Sequence, residues 1–308
     1  MDRKQLRALL AVSEHKSFSA AAKALGTVQS NVSAHISRLE SDLGVTLIDR
    51  ATTEPTPEGL AALERARRIE GEFNALDSDL AYLRDVVVGA VSLGVIGTTA
   101  RWLVAPLLQR LWDKYPEVRV VVLDAPSSAL LLGTTSGTVD LAVINLPVEH
   151  PDVDVQPLFT EDRVVIAPEG HPLHDREEVT LTDLAEHELL LEAPGTAFRD
   201  VLDRAATEAG VELRARAEFD GMRLLASLAF GGFGAGVVPA SATSMGLANV
   251  GLQGPWRAIP ITGVPRRSVG MIRRRRGLPS AAARVVAETI GEVILEEHAK
   301  VPGIDPDE

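Results

Sequence analysis

At 308 residues the chain has room for two or three domains, and with 45% hydrophobic and 24% charged residues it can bury ordinary globular cores. It has no cysteine, which excludes disulfides, thiolate metal sites and thiol redox sensing. The net charge of −12 argues at first against a nucleic-acid partner, but residues 1–60 hold seven basic and seven acidic side chains, so the acidity lies in the body.

The N-terminal segment MDRKQLRALL lacks the apolar core and small-residue cleavage site of a secretion signal. No run approaches the roughly 18 apolar residues of a membrane span. The expected location is the cytoplasm, with no membrane partner. Residues 3–14 read as a helix with Leu6, Leu9, Leu10 and Val12 on one face. Ser17 can cap the alanine-rich run Ala20–Leu25, and Gly26 ends it. Thr27 can cap the next helix, in which Val32, Ile36, Leu39 and Leu43 form one buried stripe. The opposite face carries Gln29, Ser30, Ser33, Ser37 and Arg38. A short small-residue helix, a glycine turn and a helix with a free polar face form the helix-turn-helix pattern, whose second helix enters a major groove. On pattern alone, an αα-hairpin inside a larger fold fits equally well.

Val45–Ile48 reads as a strand and Ala51–Pro57 as a turn or small wing. From Glu58 a helix is expected to run to about Val87, with Ile69, Phe73, Leu76, Leu80, Leu83 and Val87 alternating by four and three. Such a seam favours a partner helix from a second copy of the chain over packing on its own domain. Beyond Val88 strands and helices alternate, which implies parallel sheets, two of them at this length. Ligands in such folds bind past the carboxyl ends of strands, near helix N-termini.

Taken together, Phe18-Ser19-Ala20-Ala21-Ala22, Gln29-Ser30, Leu39-Glu40, Leu43-Gly44 and Thr56-Pro57-Glu58-Gly59 in the head are joined by Gly137–Ala142, His171-Pro172-Leu173 and Gly234–Pro239 in the body. On these residues the sequence resembles the LysR-type transcriptional regulators over almost its whole length. The resemblance implies an α/β protein with an N-terminal winged helix-turn-helix (1–58), a dimerising linker helix (59–87) and a two-lobed α/β effector domain (88–300) resembling type 2 periplasmic binding proteins. Lobe I is expected at 88–162 and 266–300, lobe II at 163–265, and residues 301–308 as a disordered tail. The implied partners are double-stranded DNA, RNA polymerase, a second or further copies of the chain as homodimer or homotetramer, and a small-molecule effector. Ser30-Asn31 and Ala34-His35 depart from the family's usual residues, and the wing is short and lacks basic residues, which should weaken phosphate contacts.

For DNA, Gln29 can pair with adenine and Arg38 with guanine or a phosphate. Ser30, Asn31 and Ser33 can bond base edges or phosphates. Ser17 and Thr27 can donate to phosphates or simply cap, and His35 is either a contact or a solvated side chain. The resemblance adds Arg50. For the effector, Thr98 and Thr99 follow a strand and begin a helix, and Ser127 and Ser128 repeat that arrangement. Gly195, Thr196, Phe198 and Arg199 come from the other lobe. Arg101 and Arg199 could neutralise an acid or simply be surface residues, so a carboxylated metabolite is one candidate effector. No cofactor and no metal are expected, because His171 and His174 fall in a surface turn. Gly231–Gly236 reads as a helix stop rather than a nucleotide loop, and Arg273–Arg276 as a solvated strand end. No catalytic constellation stands out, so the chain is not read as an enzyme. The alternatives are a solute-binding protein, which the body alone suggests, an effector-independent regulator, and an α/β enzyme.

Overall fold

The computed structural model describes residues 1–84, 86–243, 255–301 and 303–307. The head is built from α1 (Arg3–His15), α2 (Phe18–Ala24) and α3 (Gln29–Leu43), closed by the first turns of α4 (Pro57–Tyr82). Its core joins Leu9 and Val12 of α1, Ala21 and Ala22 of α2, Ile36 and Leu39 of α3, and Leu63 and Ala66 of α4. The two alanines let α2 cross its neighbours closely. Gly59 serves the same end, because a Cβ there would stand 2.0 Å from the Leu47 carbonyl oxygen.

Three expectations for this region are corrected. Thr27 does not cap α3; Val28 holds the cap position and makes no side-chain bond, while the Thr27 hydroxyl accepts from Asn31 Nδ2 at 3.0 Å. Residues 45–48 form no strand, and only an isolated bridge joins Ile48 to Pro55. The reason is local: Glu40 Oε1 accepts the Leu47 and Ile48 amides at 2.9 and 3.2 Å, so these donors need no strand partner. The linker helix stops at Tyr82 rather than 87. There Ser78 Oγ donates to the Val88 carbonyl at 2.7 Å and accepts from the Ala282 amide at 3.2 Å, which turns the chain into the body. Val87 accordingly packs on the body core, outside the helix.

In chain order the body comprises β1 (Gly89–Val95), α5 (Gly97–Lys114), β2 (Val118–Asp124), α6 (Ser127–Ser136), β3 (Leu141–Leu146), β4 (Val153–Glu161), β5 (Arg163–Pro168), β6 (Val179–Thr180), α7 (Leu181–Ala185) and β7 (Glu188–Glu192). It continues with α8 (Ala197–Glu208), β8 (Arg214–Phe219), α9 (Met222–Phe230), β9 (Gly236–Pro239), β10 (Trp256–Thr262), β11 (Arg267–Arg274), α10 (Ala281–Glu297) and β12 (Ile304–Pro306). Six strands order as β12-β4-β11-β3-β1-β2 in lobe I, and six as β6-β10-β5-β9-β7-β8 in lobe II. Parallel pairs carry helices across both sheets, as the alternating pattern requires.

The chain passes between lobes at Asp162 and again between Thr262 and Arg267. The strands flanking these crossings pair directly, with Arg267 opposite Glu161. The expected disordered tail is corrected too. Val301 and Ile304 are buried, and Ile304–Pro306 pairs with the edge of β4. Two apolar side chains and a strand edge with free donors are enough to hold so short a segment. Among the described residues no helix is long and apolar enough to cross a membrane.

Candidate functional site

Two surfaces concentrate polar side chains. The first is the outer face of α3. Gln29, Ser30, Asn31 and Arg38 are exposed, and Ser33 is half-buried on the flank. Arg38 makes no ion pair among the described residues, whereas most other basic groups of the head are tied. Arg3 and Arg7 reach Glu70, Lys16 reaches Glu54, and Arg50 reaches Glu40 at 2.8 Å. Arg50 also donates to Ser37 Oγ at 3.2 Å and lies 5.0 Å from the Phe18 ring centroid, so it braces the wing against α2 and α3. Ser17 Oγ accepts from the Ala20 amide as the cap of α2. His35 departs from the expected face. It is half-buried, with Nδ1 sealed and unpartnered among the described residues.

The second surface is a cavity of about 500 Å³ between the lobes. Thr98, Ser127, Ser128, Gly195, Thr196 and Phe198 all line it. Gly195 sits at φ +85°, a left-handed position that bends the chain over the opening. Thr99 does not reach the cavity. One residue further round α5 than Thr98, it is turned fully into lobe I beside Trp102 and Leu103. Arg199 does not reach it either. Nε meets Asp203 at 2.7 Å and Nη1 meets the Glu192 carbonyl at 2.7 Å and Glu218 at 3.0 Å, so its charge is committed inside lobe II. Arg101 likewise lies outside the cavity wall.

Sequence reading missed the charged part of the wall. Arg267, 6% exposed, pairs with the fully buried Glu161 at 2.7 Å and donates to Asn145 Oδ1 at 2.6 Å and to the Thr98 hydroxyl at 3.1 Å. Glu161 is completed by the Ser241 amide at 2.8 Å. Arg223 of lobe II reaches Asp124 of lobe I at 2.6 Å across the mouth. Glu192 and Asp220 add carboxylates. Burial pushes the Glu192 carboxyl above its ordinary range, against the pull of its bond from Thr196 and the charges of Arg267 and Arg163. Asp124 carried a usable signal, since it ends a strand just before Ser127; Arg267 and Glu161 meet only through the crossover.

One regularity ties the two surfaces together. Among the described residues, six of the ten α-helices are capped by a side chain: Asp2, Ser17, Thr56, Thr180, Thr196 and Ser280 hold α1, α2, α4, α7, α8 and α10. The four without a side-chain cap are α3, whose start lies on the outer face of the head, and α5, α6 and α9, whose starts line the cavity. Their first N–H groups lack the usual side-chain acceptor, and helix N-termini attract anions.

Residues 3–60 match the family described as bacterial regulatory helix-turn-helix protein, lysR family, and residues 84–294 match the LysR substrate binding domain. The chain belongs to the LysR family of DNA-binding transcriptional regulators. It is 33% identical to a probable hydrogen peroxide-inducible genes activator of Mycobacterium leprae, over 95% of this chain and 94% of that protein. Its fold is similar to that of a full-length OxyR variant from Pseudomonas aeruginosa, with a TM-score of 0.74 at 22% identity over 96% of this chain and 94% of the other. It is also similar to full-length CbnR complexed with its target DNA, with a TM-score of 0.68 at 25% identity over 96% and 99% of the two chains.

Proposed function

We propose that this LysR-type regulator reads duplex DNA with α3 and is switched by a small polar metabolite held between its lobes. The observation that carries the reading is the choice of uncapped helices. The starts of α3, α5, α6 and α9 lack side-chain caps where a ligand would supply the acceptor, and the other α-helices among the described residues are capped. At α3 that acceptor is a DNA phosphate, with Gln29, Ser30, Asn31, Ser33 and Arg38 reading or bracketing the groove. Ser17 and Thr27 stand at the helix starts beside it, while the exposed Arg50 braces the wing and the half-buried His35 packs into the head.

At the cavity the acceptor is a carboxylate, received by the N–H groups of α5 and α6 with the hydroxyls of Thr98, Ser127 and Ser128. Phe198, Gly195 and Thr196 close over it from lobe II. Thr99 and Arg199 act only as framework in this reading. Glu192 and Asp220 favour an effector that also carries an amine or hydroxyl. The Arg223–Asp124 pair spans the same opening, so a ligand between the lobes can bias their separation.

A thiol response to peroxide, which the names of the relatives bring to mind, requires a thiolate. The sequence has none, so binding rather than oxidation is the proposed signal. The exposed seam of α4 supports a homodimer or larger homo-oligomer, which places two heads on two half-sites, and control of RNA polymerase follows from such a complex. Calorimetric titration of the full chain against a panel of organic and amino acids tests the effector reading. Saturable binding of an acid that is lost in Ser128→Val supports it, and binding of neutral compounds alone contradicts it.

A further inference from the structure

A second cavity, of about 1060 Å³, shares Asn145, Ala197, Phe198 and Arg267 with the first but none of its hydroxyl-bearing helix starts. Much of its wall is apolar, with Val155, Pro157, Val201 and Pro265 among the lining side chains. Arg163 stands in this wall, 5% exposed, and forms no ion pair among the described residues. Nε donates to the Pro265 carbonyl at 2.9 Å, Nη1 donates to the Phe198 carbonyl at 3.2 Å, and the guanidinium stacks 4.1 Å from the Phe198 ring centroid.

These contacts orient the guanidinium without neutralising it. The buried carboxylate nearby, Glu161, is already held by Arg267 and by the Ser241 amide. Glu192 bears on both arginines, yet it forms no ion pair with either and is bonded by Thr196. Burial, reinforced by the charge of Arg267, pulls the Arg163 guanidinium down to about 10. A buried cation without a counter-charge is strongly unfavourable. Nη2 of Arg163 has no acceptor among the described residues and is not sealed from solvent, so it opens to the cavity that the residue lines. Nη2 of Arg267, a residue that lines both cavities, likewise has no acceptor among the described residues. Arg266, on the same wall, is already paired with Asp162 and Asp305. The exposed Glu149 and Asp307 also line this cavity, and they would oppose a second negative charge.

We propose that this cavity is a second ligand site that takes a small monocarboxylic acid with an apolar body, its carboxylate on Arg163 beside Arg267 and its apolar part against Val155, Pro157, Val201 and Pro265. The carboxylate supplies the counter-charge that the fold withholds. The site does not depend on what the hydroxyl-lined cavity binds.

The test is calorimetric titration of the full chain with hexanoate and 3-phenylpropionate, each beside its uncharged amide, and with the dicarboxylate adipate. Both acids should bind saturably, and the amides and adipate about tenfold or more weakly, as expected when a charge-assisted pair is lost or a like charge is added. Arg163→Met should reduce acid binding by a similar factor while its melting temperature holds or rises, because an unpaired buried cation is removed. Arg163→Lys keeps the charge and should retain a preference for acid over amide. Ser128→Val, which alters only the other cavity, should leave these titrations unchanged. Absence of binding by either acid, equal binding of acid and amide, or unaltered acid binding in a folded Arg163→Met chain would each overturn the proposal.

Discussion

Replacing Leu76 and Leu80 together by alanine should separate the pairing of chains from their folding. Both lie on α4, at 54% and 51% exposed, and belong to neither the head core nor the body core. With Phe73 and Leu83 they form an apolar stripe that one chain leaves open to water. Fully burying a leucine contributes about 1.5–3 kcal/mol, so burying the exposed half contributes about 1 kcal/mol. Two residues in each of two symmetric copies bring the loss to about 4 kcal/mol, or close to a thousandfold in the dissociation constant of the dimer. Sedimentation equilibrium measures this directly. The double variant should be monomeric at concentrations where the unaltered chain is paired, with an unchanged circular dichroism spectrum. Its affinity for a two-half-site operator should fall as well, since a head with no net charge has little non-specific attraction to hold it. Unchanged association in a folded double variant would refute the assignment of α4 as the pairing surface.

Further outcomes follow from the cavity and the crossovers. Glu161→Ala leaves Arg267 buried and unpaired beside Arg163, at a cost of about 3–5 kcal/mol, and calorimetric melting should drop by roughly 10 °C; Glu161→Ala with Arg267→Met should recover most of it. Glu192→Gln should stabilise the chain at pH 7.5 but not at pH 4. Burial raises the folded carboxyl above its unfolded value, so ionisation opposes folding only as pH rises through that raised value, and equal melting differences at both pH values would contradict this. Hydrogen peroxide should leave operator affinity unchanged in a gel shift, because no thiol is present to oxidise.

What the sequence made legible was local. The stripe Val32, Ile36, Leu39 and the alanines of α2 announced the head, because a helix shows its buried face in its own spacing. Ser127, Ser128, Gly195 and Thr196 were visible as hydroxyls and a turn at helix starts, and all reach the cavity wall. Thr99 and Arg199 show the limit of that reasoning, since adjacency in sequence does not decide which side of a helix faces the opening. Arg267, Glu161 and Arg163 were invisible because two crossovers bring them together. Strands β4 and β10 escaped notice because Pro157 and Pro260 interrupt their patterns. The strand expected at 45–48 failed for the converse reason: a side chain, Glu40, took the bonds that a strand partner would have made.

The central claim is that α3 reads DNA through its exposed face. A gel shift with the upstream region of the chain's own gene tests it, comparing the unaltered chain with Gln29→Ala and Arg38→Ala. Both side chains are exposed and outside the head core, so both variants should stay folded and paired. Loss of a bidentate base contact costs about 1–3 kcal/mol per half-site, and with two half-sites each variant should bind its operator at least about thirtyfold more weakly. Operator binding that survives both substitutions undiminished would contradict the account.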